Sequence, residues 1–488
     1  MIQQPPRTSS RKIGTHAVVM GGSVAGLLAA RVLTDHFEMV TLVERDCFPD
    51  GSDNRKGVPQ GHHAHAVLAK GLMTVMQFFP DLGAALADGG AAMIDPANDM
   101  LWYAADGYRV RYPSGLVAPF MSRPFLESLL RSRILARSNL TCIQGYAVNG
   151  LVANDERTHI TGIRIQGSTE HADEMHLMAD LIVDATGRGS RSPKWLEELG
   201  YARPEETVIK IDAGYTSRIY RRTPDDLPGA KAALIFPTPP HNKRLGLLVP
   251  IEGNRWLVSL GGWLGDHAPT NEQGYLEFAR SLPTLDIYNV ITRAEPLTSF
   301  AVHKLPSNLR RRFEQLAHVP GGFVVVGDAL CSFNPIYGQG MTVAALEAQM
   351  LDTCLREQCE TGHDWLSFPQ RYFRQVAKVI DIPWWLAASA DFNYPEVEGH
   401  KAPGTDLINW YVRKVQRAST YDPEVCRMLR AVTNLMQPLS SLFAPRMMLR
   451  VLSGGRIGRG TATAHIRKTT VSQGTSEGTS PAKNIHST

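Results

Sequence analysis

Residues able to do chemistry gather at three places in the 488-residue chain. The first is Gly21-Gly22-Ser23-Val24-Ala25-Gly26, a G-x-S-x-x-G turn between an apolar run and a helix-forming segment. Such a turn lets backbone N–H groups approach a pyrophosphate, and the helix dipole behind it favours negative charge. Ser23 stands where a second glycine is usual. Glu44 closes the next apolar run, about where an acidic residue accepts a ribose hydroxyl pair, so the unit reads as adenine-dinucleotide binding. The second place is Asp184-Ala185-Thr186-Gly187, delivered by the apolar Leu181-Ile182-Val183. The third is Gly327-Asp328 with Pro335 and Gly338-Gln339-Gly340-Met341. Arg123, at the start of SRPFLESLL, is placed to reach a phosphate or ribose.

His62, His63 and His65 crowd one loop, but no Cys, Asp or Glu lies beside them, so no metal site is expected. The loop instead reads as packing against the cofactor. His65 and His303 are the candidate acids or bases, and no Ser/His/Asp triad or carboxylate pair stands out.

The elements that must position these residues follow from pattern. A strand, glycine turn and helix open the chain; the strand-like segments Leu140 to Val152, His159 to Gln166 and Met175 to Val183 read as a small sheet. Ser122 is the expected N-cap of the SRPFLESLL helix, with Pro124 in its first turn. Residues 205–320 read as a second, mostly antiparallel sheet on which Trp256, Val258 and Leu260 share a face. A long helix follows Gly338, and Pro383 to Leu452 is helical with proline interruptions. The fold class is therefore α/β (α+β): a Rossmann-like dinucleotide-binding domain, a second, mostly antiparallel β-sheet domain and a C-terminal helical region.

Composition sets the bounds. Hydrophobic residues make up 43% and charged residues 20%, with net charge +4, as in ordinary globular enzymes. No basic face with interleaved aromatics appears, so nucleic acid is not an expected partner. The six cysteines have no C-x-x-C spacing and read as reduced. No secretory h-region and no apolar run of spanning length is visible, which predicts a cytoplasmic chain. Leu429 to Leu452 is apolar with basic flanks, but Pro438 and Pro445 break it, so packing over the pocket mouth is expected instead of a membrane.

The Gly-Asp pair followed by P-x-x-G-Q-G, with the glycine turn and the Asp-Ala-Thr-Gly turn, resembles the class A-like flavin monooxygenases of the p-hydroxybenzoate hydroxylase fold, squalene epoxidase among them. The GVPQGHHAHA loop, SRPFLESLL and Tyr394-Pro-Glu-Val-Glu-Gly399 are similar to the flavoprotein epoxidases of polyether polyketide biosynthesis. The resemblance implies FAD, with NADPH or NADH as donor directly or through a flavin reductase. It also implies transfer of one oxygen atom from O2, by a flavin C4a-hydroperoxide, to a large apolar substrate such as a polyene, polyketide or terpenoid alkene. It assigns Asp328 to the ribitol chain, Arg45 to the neighbourhood of the adenine, and Arg123 to the phosphates or ribose. Asp184 and Gly187 would sit by the cofactor, Arg191 holding their turn, and the helix start at Gly338 to Met341 would face the flavin beside Pro335. Substrate would touch aromatic residues such as Trp102, Tyr215, Phe236 and Trp256.

The implied organisation is FAD-binding segments 14–90, 121–200 and 319–356, substrate-domain segments 91–120 and 201–318, helices over 357–453 and a disordered tail over 454–488. Competing readings are an aromatic hydroxylase, an isoprenoid double-bond reductase, a halogenase lacking its W-x-W-x-I-P segment, and a non-catalytic escort of lipidated proteins.

Overall fold

The computed structural model describes residues 12–167, 173–362 and 364–454. The expected disordered lead and tail lie outside the described residues, apart from residues 12, 13 and 454. Five parallel strands form the first sheet, in the order Phe323–Val325, Leu181–Asp184, Gly14–Met20, Phe37–Glu44, Leu140–Gln144. The three central strands carry continuous apolar runs because helices bury the sheet on its faces. Val24–His36 packs against the helix Gly340–Thr361, and Arg123–Leu135 packs against Val24–His36.

Two strand assignments need correcting. Leu140–Gln144 joins the parallel sheet and not the small one, because Asn139 donates to the Thr34 and Phe37 carbonyls and sets it beside Phe37–Glu44. The run from Met175 to Val183 is two strands: the Asp180 carboxylate accepts the Thr15 and His16 N–H groups and breaks it. Only Glu174–Met178 stays in the small antiparallel sheet with Tyr146–Ala153 and Ile160–Gly167.

The second sheet has nine strands. At its centre Glu206–Arg221 pairs antiparallel with Ala301–Arg311 on one side and Arg255–Gly262 on the other. Arg244–Ile251 and Ala232–Ile235 continue it, and Met100–Ala104 joins in parallel. Alternation divides its faces. Tyr220, Trp256, Val258 and Leu260 pack under the helices Glu272–Arg280 and Asp286–Ile291. Tyr215, Ser217 and Ser259 point the other way; the two serines meet the histidine loop. Pro383 interrupts nothing, since the helix Phe368–Asp391 runs through it. Beyond it, Thr405–Ala418, Pro423–Thr433 and Pro445–Leu452 close a small core of their own around Tyr411, Val415 and Leu429. No helix among the described residues is long and apolar enough to cross a membrane.

The glycine turn is fixed by lack of room. A Cβ on Gly26 would lie 1.8 Å from the Gly21 carbonyl oxygen, and one on Gly21, at φ +99°, 2.6 Å from the Ala185 carbonyl. Gly26→Ala is expected to cost more than about 2 kcal/mol, as substitutions that force strain into packed backbone do. Urea unfolding of the variant against the parent checks this.

Candidate active site

The turn and the carboxylate that ends the second strand are bonded to each other. Glu44 Oε2 accepts the Gly22 N–H at 2.7 Å, and its Oε1 accepts the Asp46 N–H at 3.0 Å. Arg55 Nη1 stands 3.0 Å from the same Oε2, while its Nη2 donates to the Gly22 carbonyl and to Glu127 Oε1, both at 3.1 Å. Glu44 therefore has little acceptor capacity left for a ribose. Arg55 was not singled out in the sequence; its loop shows donors without showing which one turns inward. Arg45 points away, its side chain 66% exposed and 4.0 Å from Asp46.

Arg123 explains the serine in the glycine turn. Its Nη2 donates to Ser23 Oγ at 2.8 Å and its Nη1 to His65 Nε2 at 3.3 Å. The His65 Nδ1–H donates to the His63 carbonyl at 2.8 Å, which fixes the tautomer. Both ring nitrogens are thus engaged. Burial, then the Arg123 charge, pushes the His65 pKa down to about 3. His65 is a neutral acceptor for Arg123 and not the acid or base expected of it.

Asp184 is fully buried, and its carboxylate is committed to its own loop. Thr186 N and Oγ1 donate to Oδ1 at 2.8 and 2.6 Å, and Ser190 and Ser192 hydroxyls donate to Oδ2 at 2.5 Å. It shapes the turn that carries Gly187, at φ +80° and open to space. Arg191 does not hold this turn: its guanidinium lies over the Trp195 ring, and the serines do the work expected of it.

Asp328 differs. Its carboxylate makes no hydrogen bond with any described residue, while Arg123 and Arg188 lie close enough to oppose the rise that burial imposes on its pKa. Arg188 is held by Ser332 Oγ at 3.1 Å and Ser307 Oγ at 2.6 Å. Gly327 sits so near the glycine-turn helix that a Cβ there would be 2.7 Å from Ala25 Cβ. Its N–H donates to Glu347 Oε2 at 2.5 Å, and burial raises the Glu347 pKa to about 8, so this neighbour is neutral at pH 7. Asp328 and the glycine turn therefore share one crevice.

Pro335 and Gly340 are exposed, and a Cβ on Gly340 meets no protein atom within 4 Å. A Cβ on Gly338, at φ +64°, would be 2.9 Å from Ala66 Cβ, so the histidine loop abuts this turn. The Met341 side chain is buried in the core, leaving its backbone as the part that can face a ligand. Behind the turn Asp391, from the helix Phe368–Asp391, accepts from Asn308, Asn334, Tyr337 and Trp263 at 2.7 to 3.2 Å. Tyr215 donates to Asn334 Oδ1 at 2.7 Å, tying the second sheet to the same hub. Asp391 had no signal in the sequence beyond its type.

Of the expected substrate contacts, Trp102 and Phe236 stack at 5.9 Å and are half-buried, and Tyr215 lies on the face toward the first domain. Trp256 does not belong with them. It is 1% exposed, donates to Asp226 and packs beneath the helices on the opposite face. His303 pairs in register with Tyr215 and faces His63 at 5.7 Å, with no hydrogen bond to any described residue. Burial, then Arg123 and Arg188, lowers its pKa. No group of three or more metal-ligating side chains occurs among the described residues.

These parts fit a flavin dinucleotide: a carboxylate without a donor among the described residues, Gly187 and Gly340 with open space beside them, and a glycine turn at a helix start. Among solved structures, CmlS, a flavin-dependent halogenase, superposes with a TM-score of 0.61 at 16% identity over 86% of this chain and 78% of that one. PqsL, a probable FAD-dependent monooxygenase from Pseudomonas aeruginosa, superposes at 0.55 with 15% identity over 78% and 98%. The fold is that of the FAD-binding halogenases and monooxygenases. No family model matches the chain. It is 32% identical over 404 residues to Protein Rv3254 of Mycobacterium tuberculosis (strain ATCC 25618 / H37Rv), spanning 81% of this chain and 83% of that one, and it belongs to the same family. The 6-methylpretetramide 4-monooxygenase of Streptomyces rimosus is 25% identical over 362 residues, 70% of this chain and 75% of that protein.

His63 also has its pKa lowered to about 3, chiefly by burial. With folded pKa values below the unfolded 6.5, His63 and His65 contribute stability that is present above pH 6.5 and lost as pH falls toward 3. Each is expected to remove about 1.4 kcal/mol per pH unit over that window. Chemical unfolding between pH 7 and 5 should show this slope, and His63→Gln should reduce it.

Proposed function

We propose that the chain is an FAD-dependent monooxygenase that inserts one oxygen atom from O2 into a large apolar molecule. The reading is carried by Asp328, a carboxylate beside the glycine turn with no donor among the described residues. Asp328 would accept the ribitol hydroxyls. The first-turn N–H groups behind Ser23 would receive the pyrophosphate. Glu44 would keep one acceptor site for the adenosine ribose, and the Gly340 helix start would face the electron-rich edge of the ring. When bound, the flavin supplies the redox and O2 chemistry, with NADPH or NADH as donor directly or through a reductase. The chain's own residues then bind, orient and exclude water.

We read the substrate as an alkene of a polyene, polyketide or terpenoid, because its epoxidation needs no protein base. Aromatic hydroxylation is the second reading, favoured by the similarity to 6-methylpretetramide 4-monooxygenase. His303, whose side chain makes no hydrogen bond with any described residue, is the base it would use.

Purified protein titrated with FAD is expected to hold a yellow chromophore. Asp328→Asn should weaken FAD about 10- to 100-fold, the loss of hydrogen bonds to a charged acceptor. NADPH or NADH oxidation should depend on O2 and rise with substrate. A colourless protein after FAD addition sinks the reading; turnover without O2 moves it to the reductase, and halide incorporation to the halogenase.

His303→Gln separates the two reactions. Alkene epoxidation should proceed at the parent rate, whereas arene hydroxylation should fall 10²- to 10⁴-fold, the usual worth of a general base. Rates on one alkene and one phenol, measured side by side, decide.

A further inference from the structure

Two buried arginines lie over the Trp102 ring with no anion beside them among the described residues. Arg109 and Arg430 are 7% and 8% exposed, and their guanidinium carbons lie 3.9 and 5.0 Å from the Trp102 ring centroid. Neither guanidinium makes a hydrogen bond or ion pair with any described residue. Nε and Nη1 of Arg109, Nε of Arg430 and Nε1 of Trp102 are buried without an acceptor. Cys426, beside Arg109, donates its thiol to the Val110 carbonyl at 3.5 Å and offers at most a weak sulfur acceptor. The comparably buried arginines all have one: Arg31 meets Asp35, Arg131 the Pro49 and Gly51 carbonyls, Arg310 Glu314, and Arg311 Glu206.

Burying two like charges side by side is strongly unfavourable unless an opposite charge joins them. Burial, then Arg430, lowers the Arg109 pKa, yet an arginine remains charged at neutral pH. Trp102 and Phe236, both half-buried, pack on an apolar cluster of the buried Ile94, Met100 and Leu234. The helix bearing Arg430 is also fastened to the flavin side. Asn434 Oδ1, one turn on, accepts the Ala69 N–H at 3.0 Å, and Leu68 N donates to Thr342 in the Gly340 helix at 2.9 Å.

We propose that Arg109, Arg430 and the Trp102 indole N–H receive a carboxylate at one end of the apolar substrate. The proposal rests on the reading that an apolar molecule lies against the second sheet. Two guanidiniums offer a carboxylate paired N–H donors, and the Trp102 cluster takes the carbon chain next to it. The enzyme would then select amphiphilic acids over neutral molecules of the same length.

The test uses the full chain with added FAD, and measures calorimetric binding and tryptophan emission with decanoate, decanol, decyl phosphate, inorganic phosphate and bromide. Decanoate is expected to bind at least about 10-fold more tightly than decanol. Arg109→Gln and Arg430→Gln should each lower decanoate affinity by a similar factor, leave decanol unchanged, and melt no lower than the parent without ligand. Equal binding of decanoate and decanol, or glutamine variants indifferent to decanoate, overturns the proposal. So does binding of inorganic phosphate, bromide or decyl phosphate in preference to decanoate, which marks an ion or phosphate pocket. If the glutamine variants do not fold, Arg109→Lys and Arg430→Lys are read by the same criteria, and the decanoate-to-decanol ratio of the parent decides. FAD affinity is scored separately. Decanoate binding that survives a failed FAD titration upholds the anion site and sinks the oxygenase reading; the reverse result does the opposite.

Discussion

The first turn of the helix Val24–His36 leaves no space for side chains, and three distant stretches of chain meet there because of it. Gly26 lies against the Gly21 carbonyl, Gly21 against Ala185, and Gly327 against Ala25. Each approach is shorter than any Cβ tolerates, so the Asp184 turn and the Gly327-Asp328 pair can only be built around one helix start. The crevice is a consequence of that packing. Parallel strands ending at the same edge deliver all three turns to the same end of the sheet, where ligands bind in open α/β folds.

What the glycines permit, buried carboxylates hold in place. Asp184 gathers Thr186, Ser190 and Ser192; Asp391 gathers Asn308, Asn334, Tyr337 and Trp263. A buried carboxylate is costly alone and tolerable once its lone pairs are filled. Asp391 fills them from the second sheet and from the loop before Gly338, so the C-terminal helical region is part of the site's frame. Asp328 is left without such donors among the described residues.

The first domain was legible because its signals are local: an apolar run, a glycine turn and a helix occupy consecutive residues, and their order states their geometry. The second sheet was legible through alternation, which put Trp256, Val258 and Leu260 on one face. Alternation does not say which face meets the cofactor, and so Trp256 was assigned to substrate when it packs under helices. Arg55, Arg188, Glu347 and Asp391 were illegible for another reason. Several of their partners lie far away in the chain, 144 residues for Arg188 and Ser332 and 83 for Asn308 and Asp391, and a lone charged residue carries no mark of the partner. Leu140–Gln144 was placed in the wrong sheet on the same account, since strand pairing is long-range.

Charge around the crevice follows from which imidazoles are kept neutral. Arg123 and Arg188 flank Asp328, one carboxylate against two guanidiniums. Were His63, His65 and His303 protonated as well, five cations would crowd Asp328 and Glu127. Burial prevents this, and the tautomer of His65 makes the neutrality structural: Arg123 needs an acceptor at Nε2, which only the neutral ring offers. Ser23, the departure from the usual glycine, completes the seat of Arg123. A glycine in its place would keep the backbone approach and lose the hydroxyl, leaving the guanidinium with His65 and with Glu127, 3.4 Å from its Nε. The serine and the neutral histidine are therefore two halves of one device that keeps a positive charge at the mouth of the glycine turn.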